Sequence, residues 1–121
     1  MARILTVDDS SSMRQMVRFA LQEGGFEVVE AADGEEALSF AKSQQVDLVI
    51  TDINMPRMDG ISLVKALRQL QTYRFTPILL LTTESAPEKK SEGKAAGASG
   101  WIVKPFSPDT LLKTVGQVIR R

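Results

Sequence analysis

The sequence predicts an open α/β sandwich, a parallel sheet of five strands with five helices on its two faces. Three observations carry this. Short apolar runs alternate with segments of helical spacing from end to end of the 121 residues. Two of the runs, "DLVIT" and "PILLLT", are nearly continuous aliphatic stretches, as central strands buried on both sides must be. Turn and cap signals separate each run from the next.

Each element can be justified in order. "RILTV", Arg3 to Val7, is a short β-branched and aliphatic strand. Met13, Met16, Val17, Ala20 and Leu21 follow at helical spacing, all expected in the core, and Gly24-Gly25 ends that helix. "FEVVEA" is the second strand. Asp33 with Glu36 forms a capping box that opens the helix "EEALSFAKSQ". "DLVIT" is the third strand, and a helix from about Ile61 to Leu70 turns Leu63, Val64 and Leu67 to one side. "PILLLT" is the fourth. Ser85 with Glu88, and Pro87 in the first turn, start a helix that ends near Gly97. "GWIVK" is the fifth strand. Ser107 caps the last helix with Pro108 at its first position, and Phe106 and Leu111 are placed as a hydrophobic staple. Leu111, Leu112, Val115, Val118 and Ile119 form its apolar stripe.

Composition removes several functional classes. Fifteen basic residues balance fifteen acidic ones, so nothing attracts nucleic acid or an anionic membrane in bulk. There is no cysteine and no histidine, which excludes disulfides, thiolate or imidazole metal sites and the commonest general base. The first apolar run is too short for a signal peptide and no run is long enough to span a membrane. The expectation is a cytoplasmic, monomeric single domain over 1–121 with no linker, repeat or appended output domain.

The informative polar residues fall at the carboxyl ends of the strands, where open α/β sheets bind ligands. Asp8 and Asp9 follow strand 1, Asp52 ends strand 3, Thr82 and Thr83 end strand 4, and Lys104 ends strand 5. In the flavodoxin-like strand order 2-1-3-4-5, taken over from that class and not fixed by spacing, strands 1 and 3 are neighbours. Asp8, Asp9 and Asp52 would then share one cleft. At about 4 Å and an effective dielectric near 20, each like-charged pair costs roughly 4 kcal/mol. Such a cluster must raise a pKa or hold a cation. An all-oxygen site suits a hard ion, and Mg²⁺ is the natural choice. Lys104 and the Thr82 hydroxyl would bind an anion opposite it. Asp52, facing a cation, an ammonium and a hydroxyl, is then placed to attack phosphorus and form an acyl phosphate. Taken singly, each residue has a plainer reading: Asp52 and Asp9 as caps, Thr82 as a strand-end hydroxyl, Lys104 as a solvated lysine, "PEKKSEGK" as a solvated helix face. Their joint register carries the functional reading.

Four motifs in this order, "VDD" (Val7 to Asp9), "DINMPRMDG" (Asp52 to Gly60), "LLTTES" (Leu80 to Ser85) and "VKPF" (Val103 to Phe106), resemble the receiver domains of two-component response regulators along the whole chain. The stand-alone CheY-type chemotaxis and motility regulators are the most similar form. The resemblance implies a phosphorylation-activated switch. Asp52 would accept a phosphoryl group from a sensor histidine kinase of the CheA-like kind. Asp8, Asp9, Asp52 and the Asn54 backbone carbonyl would hold Mg²⁺. Lys104 and Thr82 would contact the phosphoryl group, with the Lys104-Pro105 peptide cis. Thr82 and Trp101 would form the switch, and Asn54 and Glu84 would tune the rate of self-catalysed dephosphorylation. The face of helix 4, strand 5 and helix 5 would then bind a protein target such as a flagellar switch component, with a phosphatase as a further partner. Thr83 stands where the family usually has a smaller residue, and Trp101 where it usually has Tyr or Phe. Both departures bear on switching amplitude and rate, not on the chemistry.

Four alternatives are weighed against this. A receiver in a phosphorelay or another non-chemotaxis pathway would use the same site. An aspartyl-phosphate-type phosphatase would carry a second acid two residues after its nucleophile, where this chain has Asn54. A flavin carrier would find its phosphate repelled by Asp8 and Asp9. A pseudo-receiver need not keep the full Asp, Thr and Lys set.

Overall fold

Alternation of side chains along five short strands sets the architecture. A computed structural model describes residues 2–83 and 87–119. The chain runs β1 (Arg3–Val7), α1 (Ser11–Glu23), β2 (Glu27–Ala31), α2 (Gly34–Ser43), β3 (Leu48–Asp52), α3 (Gly60–Gln69), β4 (Ile78–Thr83), α4 (Pro87–Ala96), β5 (Gly100–Lys104) and α5 (Pro108–Val118), with a short 3₁₀ turn at Gln71–Tyr73 before β4. The sheet order is β2-β1-β3-β4-β5 and every pairing is parallel. This is the expected flavodoxin-like, doubly wound sandwich.

The period-two pattern divides the core into two layers. Leu5, Val7, Val49, Ile78 and Leu80 face one side and pack against Ala37, Ala41, Leu63, Val64 and Leu67 of α2 and α3. Ile4, Leu48, Ile50, Leu79, Leu81 and Ile102 face the other and pack against Val17, Ala20 and Leu21 of α1 and Leu111 and Val115 of α5. Strands β3 and β4 bury both faces, which is why their sequences are almost unbroken aliphatic runs.

Helix starts follow the cap chemistry. Ser10 Oγ accepts the Met13 amide at 3.2 Å and Ser107 Oγ accepts the Thr110 amide at 3.1 Å. Asp33 Oδ1 accepts the Glu36 amide at 2.8 Å, while Glu36 Oε1 reaches back to the Ala32 amide at 2.6 Å. Asp59, read in the sequence only as part of a turn, caps α3 through the Ser62 amide at 2.7 Å. Each such cap is worth about 1 kcal/mol. The Ser85 start expected for α4 lies outside the described residues.

Some packing expectations need correction. Met16 is not core: it is 43% exposed, while Met13 is partly buried against the α1–α5 layer. Successive helical residues point about 100° apart, and Met16 falls on the edge of the stripe centred on Val17 and Ala20. Of the apolar stripe expected for the last helix only Leu111 and Val115 are fully buried; Leu112, Val118 and Ile119, the last of them just past the end of α5, are partly so. Phe106 packs against the same layer as Leu111, as a staple would. No helix among the described residues is long and apolar enough to cross a membrane.

Candidate functional site

Register builds the site. Val7 is paired with Thr51 across β1 and β3, so the next residues, Asp8 and Asp52, emerge side by side at the carboxyl edge. Thr83 is paired with Lys104 across β4 and β5. Lys104 must therefore cross β4 to reach Asp52, two strand spacings of about 4.8 Å each, a span suited to a long side chain. It does so: Lys104 Nζ lies 2.9 Å from Asp52 Oδ1, with both side chains largely shielded from solvent. The Lys104-Pro105 peptide is cis, as expected.

The loop after β3 approaches the site closely. The Gly60 amide donates to Ile53 O at 2.8 Å, closing the turn. A Cβ at Gly60 would collide with the backbone carbonyl oxygen of Asp52, so only glycine lets α3 begin here. Asn54 is exposed on this loop, and Asp52 Oδ1 also accepts the Ile53 amide at 2.9 Å.

The three carboxylates converge. Asp8, Asp9 and Asp52 each offer an oxygen within 4.8 Å of the others. Asp8 is 2% exposed. Its Oδ1 accepts the Ser10 amide at 2.9 Å, and its buried Oδ2 has no hydrogen-bond partner among the described residues. Burial pushes the Asp8 carboxyl above its ordinary value, the Ser10 N–H opposes this, the negative charge of Asp52 adds to it, Lys104 opposes, and Asp9 adds. Arg14 of α1 holds the Asp8 main chain from behind, donating from Nη1 to Asp8 O at 2.5 Å and from Nε to Glu30 at 3.1 Å. A buried carboxylate oxygen without a donor, among hard oxygen ligands and no nitrogen or sulfur, fits a hard divalent cation.

Asp52, Asn54, Thr82, Thr83, Lys89 and Lys104 line a small open cleft beside the acidic cluster. Thr82 is nearly buried, and its hydroxyl donates to Thr83 O over a long 3.4 Å, a weak hold that leaves it able to turn. Of the residues singled out in the sequence, the fold thus brings together Asp8, Asp9, Asp52, Asn54, Thr82 and Lys104. It does not bring Trp101 into the cleft. Trp101 sits partly buried on β5 toward α4, with Lys90 Nζ 5.6 Å from its ring centroid, and borders a separate groove with Lys94, Ala98 and Gln117. Glu84 lies outside the described residues. The sequence reading missed Lys89, since a cation in a lysine-rich amphipathic segment carries no signal of which way it points.

Comparison with known proteins supplies independent findings. Residues 4–116 match the family described as the response regulator receiver domain. Chemotaxis protein CheY-3 of Vibrio cholerae is 41% identical over 120 residues, covering 98% of this chain and 92% of that protein. The alkaline phosphatase synthesis transcriptional regulatory protein PhoP of Bacillus subtilis is 40% identical, but the chain spans only 49% of its length. The solved structure of chemotaxis response regulator CheY4 of Vibrio cholerae superposes with a TM-score of 0.93 at 59% identity, covering 98% of both chains. The receiver domain of sensor histidine kinase PA1611 from Pseudomonas aeruginosa, 27% identical with a TM-score of 0.91 over 98% of this chain and 97% of that one, was solved with a magnesium ion coordinated in its active-site cleft.

Proposed function

The chain belongs to the response regulator receiver domain family, and from that premise we propose that it is a phosphorylation-activated switch whose acceptor is Asp52. Receiver domains are signalling proteins that take a phosphoryl group from histidine kinases. The observation that carries the residue assignment is the ion pair of Lys104 with Asp52 beside a buried Asp8 oxygen that has no donor. Asp8, Asp9, Asp52 and the Asn54 carbonyl would hold Mg²⁺. That ion, when bound, offsets the charge that gathers on the phosphoryl oxygens.

This chain's own residues do the rest. An Asp52 oxygen attacks the phosphorus of the donor phosphohistidine. The P–N bond breaks as the P–O bond forms, and the imidazole leaves with the electron pair and takes a proton. Lys104 is the ammonium within reach of the new phosphoryl oxygens. The weakly held Thr82 hydroxyl turns from Thr83 O toward them. Trp101 moves with it and alters the face built by α4, β5 and α5, a two-state equilibrium biased by one local charge change. Water later cleaves the acyl phosphate, with Asn54 and Glu84 tuning the rate.

The chemotaxis proteins among its relatives support a chemotaxis-type pathway, with a CheA-like kinase as donor and a flagellar switch component as target. The test is acetyl phosphate with Mg²⁺, read by intact mass. One phosphoryl group should be gained, dependent on Mg²⁺ and absent in Asp52→Asn. No Asp52-dependent gain would overturn the reading, and sustained turnover of a generic phosphoester would favour the phosphatase alternative.

A further inference from the structure

The two loops that would hold the cation follow different strands, and the register that sets Asp8 beside Asp52 does not by itself fix where the Asn54 loop sits. Asp8 and Asp9 follow β1, whereas Asn54 rides the long turn between β3 and α3. The end of β2 and the turn that leads from it to α2 touch both. On one side, the Asp8 amide donates to Ala31 O at 3.1 Å. On the other, Asp33 Oδ2 accepts both Arg57 Nε at 2.9 Å and Arg57 Nη2 at 2.6 Å. The Asp33 carboxylate is 5% exposed, and its other oxygen is committed to capping α2 through the Glu36 amide. Arg57 itself holds φ at +68°, a left-handed conformation disfavoured for a side-chain-bearing residue, so the surroundings must impose it. The contact is tight throughout: a Cβ on Gly34 would collide with the carbonyl oxygen of Met58, the residue after Arg57.

We propose that Arg57 is a positioning residue for the cation site: through Asp33 it braces the loop carrying Asn54 against the turn leaving β2, whose last residue holds Asp8. The path is short and continuous, from Arg57 to Asp33, along the main chain to Ala31, and across one hydrogen bond to Asp8. The inference rests on the Mg²⁺ reading above, but concerns a residue pair outside the groups that would hold the ion and distinct from the acceptor. Arg57 is also the wrong charge to attract a cation. By electrostatics alone its removal tightens cation binding. Weaker binding on its removal therefore reports geometry.

The test is a titration with Mg²⁺ alone, followed by backbone amide shifts at Gly60 and Asp9, in the wild type, Arg57→Ala, Asp33→Asn and the double variant. Asn caps helices about as well as Asp, so α2 keeps its start in Asp33→Asn. Each single variant should weaken Mg²⁺ binding about tenfold, the scale of supporting contacts around metal ligands. The double variant should be no weaker than either single, and Arg57→Lys should recover much of the loss. Wild-type binding with Arg57→Ala unchanged within about twofold, or tighter, overturns the brace, as do additive losses in the double variant. If Arg57→Ala does not fold, Arg57→Gln, which removes the same positive charge with less loss of packing, decides in its place, because Asp33→Asn also removes a negative charge that by itself favours the cation. A wild type that binds no Mg²⁺ overturns the underlying reading instead.

Discussion

Replacing Asp8 by asparagine should stabilise the metal-free protein, although it removes a residue of the proposed cation site. The three carboxylates lie within 4.8 Å of one another. At that separation and an effective dielectric near 20, each like-charged pair costs about 3.5 kcal/mol. Asp8 takes part in two such pairs. Lys104, at 2.9 Å from Asp52, offsets part of the repulsion, and solvent around the exposed Asp9 screens more. A net gain of about 2 kcal/mol remains on removing the Asp8 charge, discounting the two pairs for that screening. The substitution keeps the other contacts. The asparagine carbonyl oxygen can still accept the Ser10 amide, and its amide group replaces an oxygen that has no donor with one that donates toward Asp9 and Asp52. For a chain of this length the gain corresponds to a rise in Tm of roughly 6–10 °C. The assay is thermal unfolding in chelator and again with Mg²⁺ in excess. A ligand at ten times its Kd stabilises the native state by about 1.4 kcal/mol, so the wild type should close much of the gap in Mg²⁺ while Asp8→Asn stays where it was. An Asp8→Asn protein less stable than wild type in chelator would refute the claim that the cluster is under electrostatic stress.

Two further predictions rest on separate contacts. Gly60→Ala forces a methyl group onto the Asp52 carbonyl oxygen. The backbone must shift, so it should lower stability by about 1–3 kcal/mol and slow Asp52 phosphorylation. A variant with wild-type urea midpoint and rate would show that the turn has slack. Acid should erase the contribution of Arg57. The Glu36 N–H and then the Arg57 guanidinium hold the Asp33 carboxyl below its ordinary value of 3.8. A depressed folded pKa contributes stability above the unfolded value and loses it as pH falls through the folded one. The difference in urea midpoint between wild type and Arg57→Ala should be constant near neutrality and shrink below pH 3.8. A difference that persists undiminished in acid would mean that Arg57 acts without Asp33.

The sheet was legible because burial on two faces leaves a strong mark: β3 and β4 have no polar alternation to disguise. The site was legible for a related reason. Polar residues that end apolar strands have nowhere to go but the carboxyl edge, so Asp8, Asp52, Thr82 and Lys104 announced their place by interrupting a pattern. The strand order did not follow from spacing, since any order with right-handed crossovers fits the same alternation. Met16 was misplaced because periodicity gives the centre of a helical stripe more sharply than its edge. Asp33 was read as a cap and is one, but its second oxygen was invisible, because a cap motif says nothing about a partner more than twenty residues away.

Lys89 and Lys90 show where sequence reading stops. They are adjacent, chemically identical, and part of one solvated-looking run. In the fold Lys89 lines the Asp52 cleft while Lys90 stands over the Trp101 ring. The turn of about 100° between successive helical residues separates their roles, and only the packing of α4 decides which lysine faces which neighbour. Strand-end chemistry, by contrast, is fixed by register: a one-residue slip of β3 would turn Asp52 away from Lys104 and bury a different side chain in its place. The proposed acceptor chemistry therefore depends on the sheet, which the sequence specifies strongly, whereas the surroundings that tune it depend on helix rotation and loop bracing, which the sequence specifies weakly.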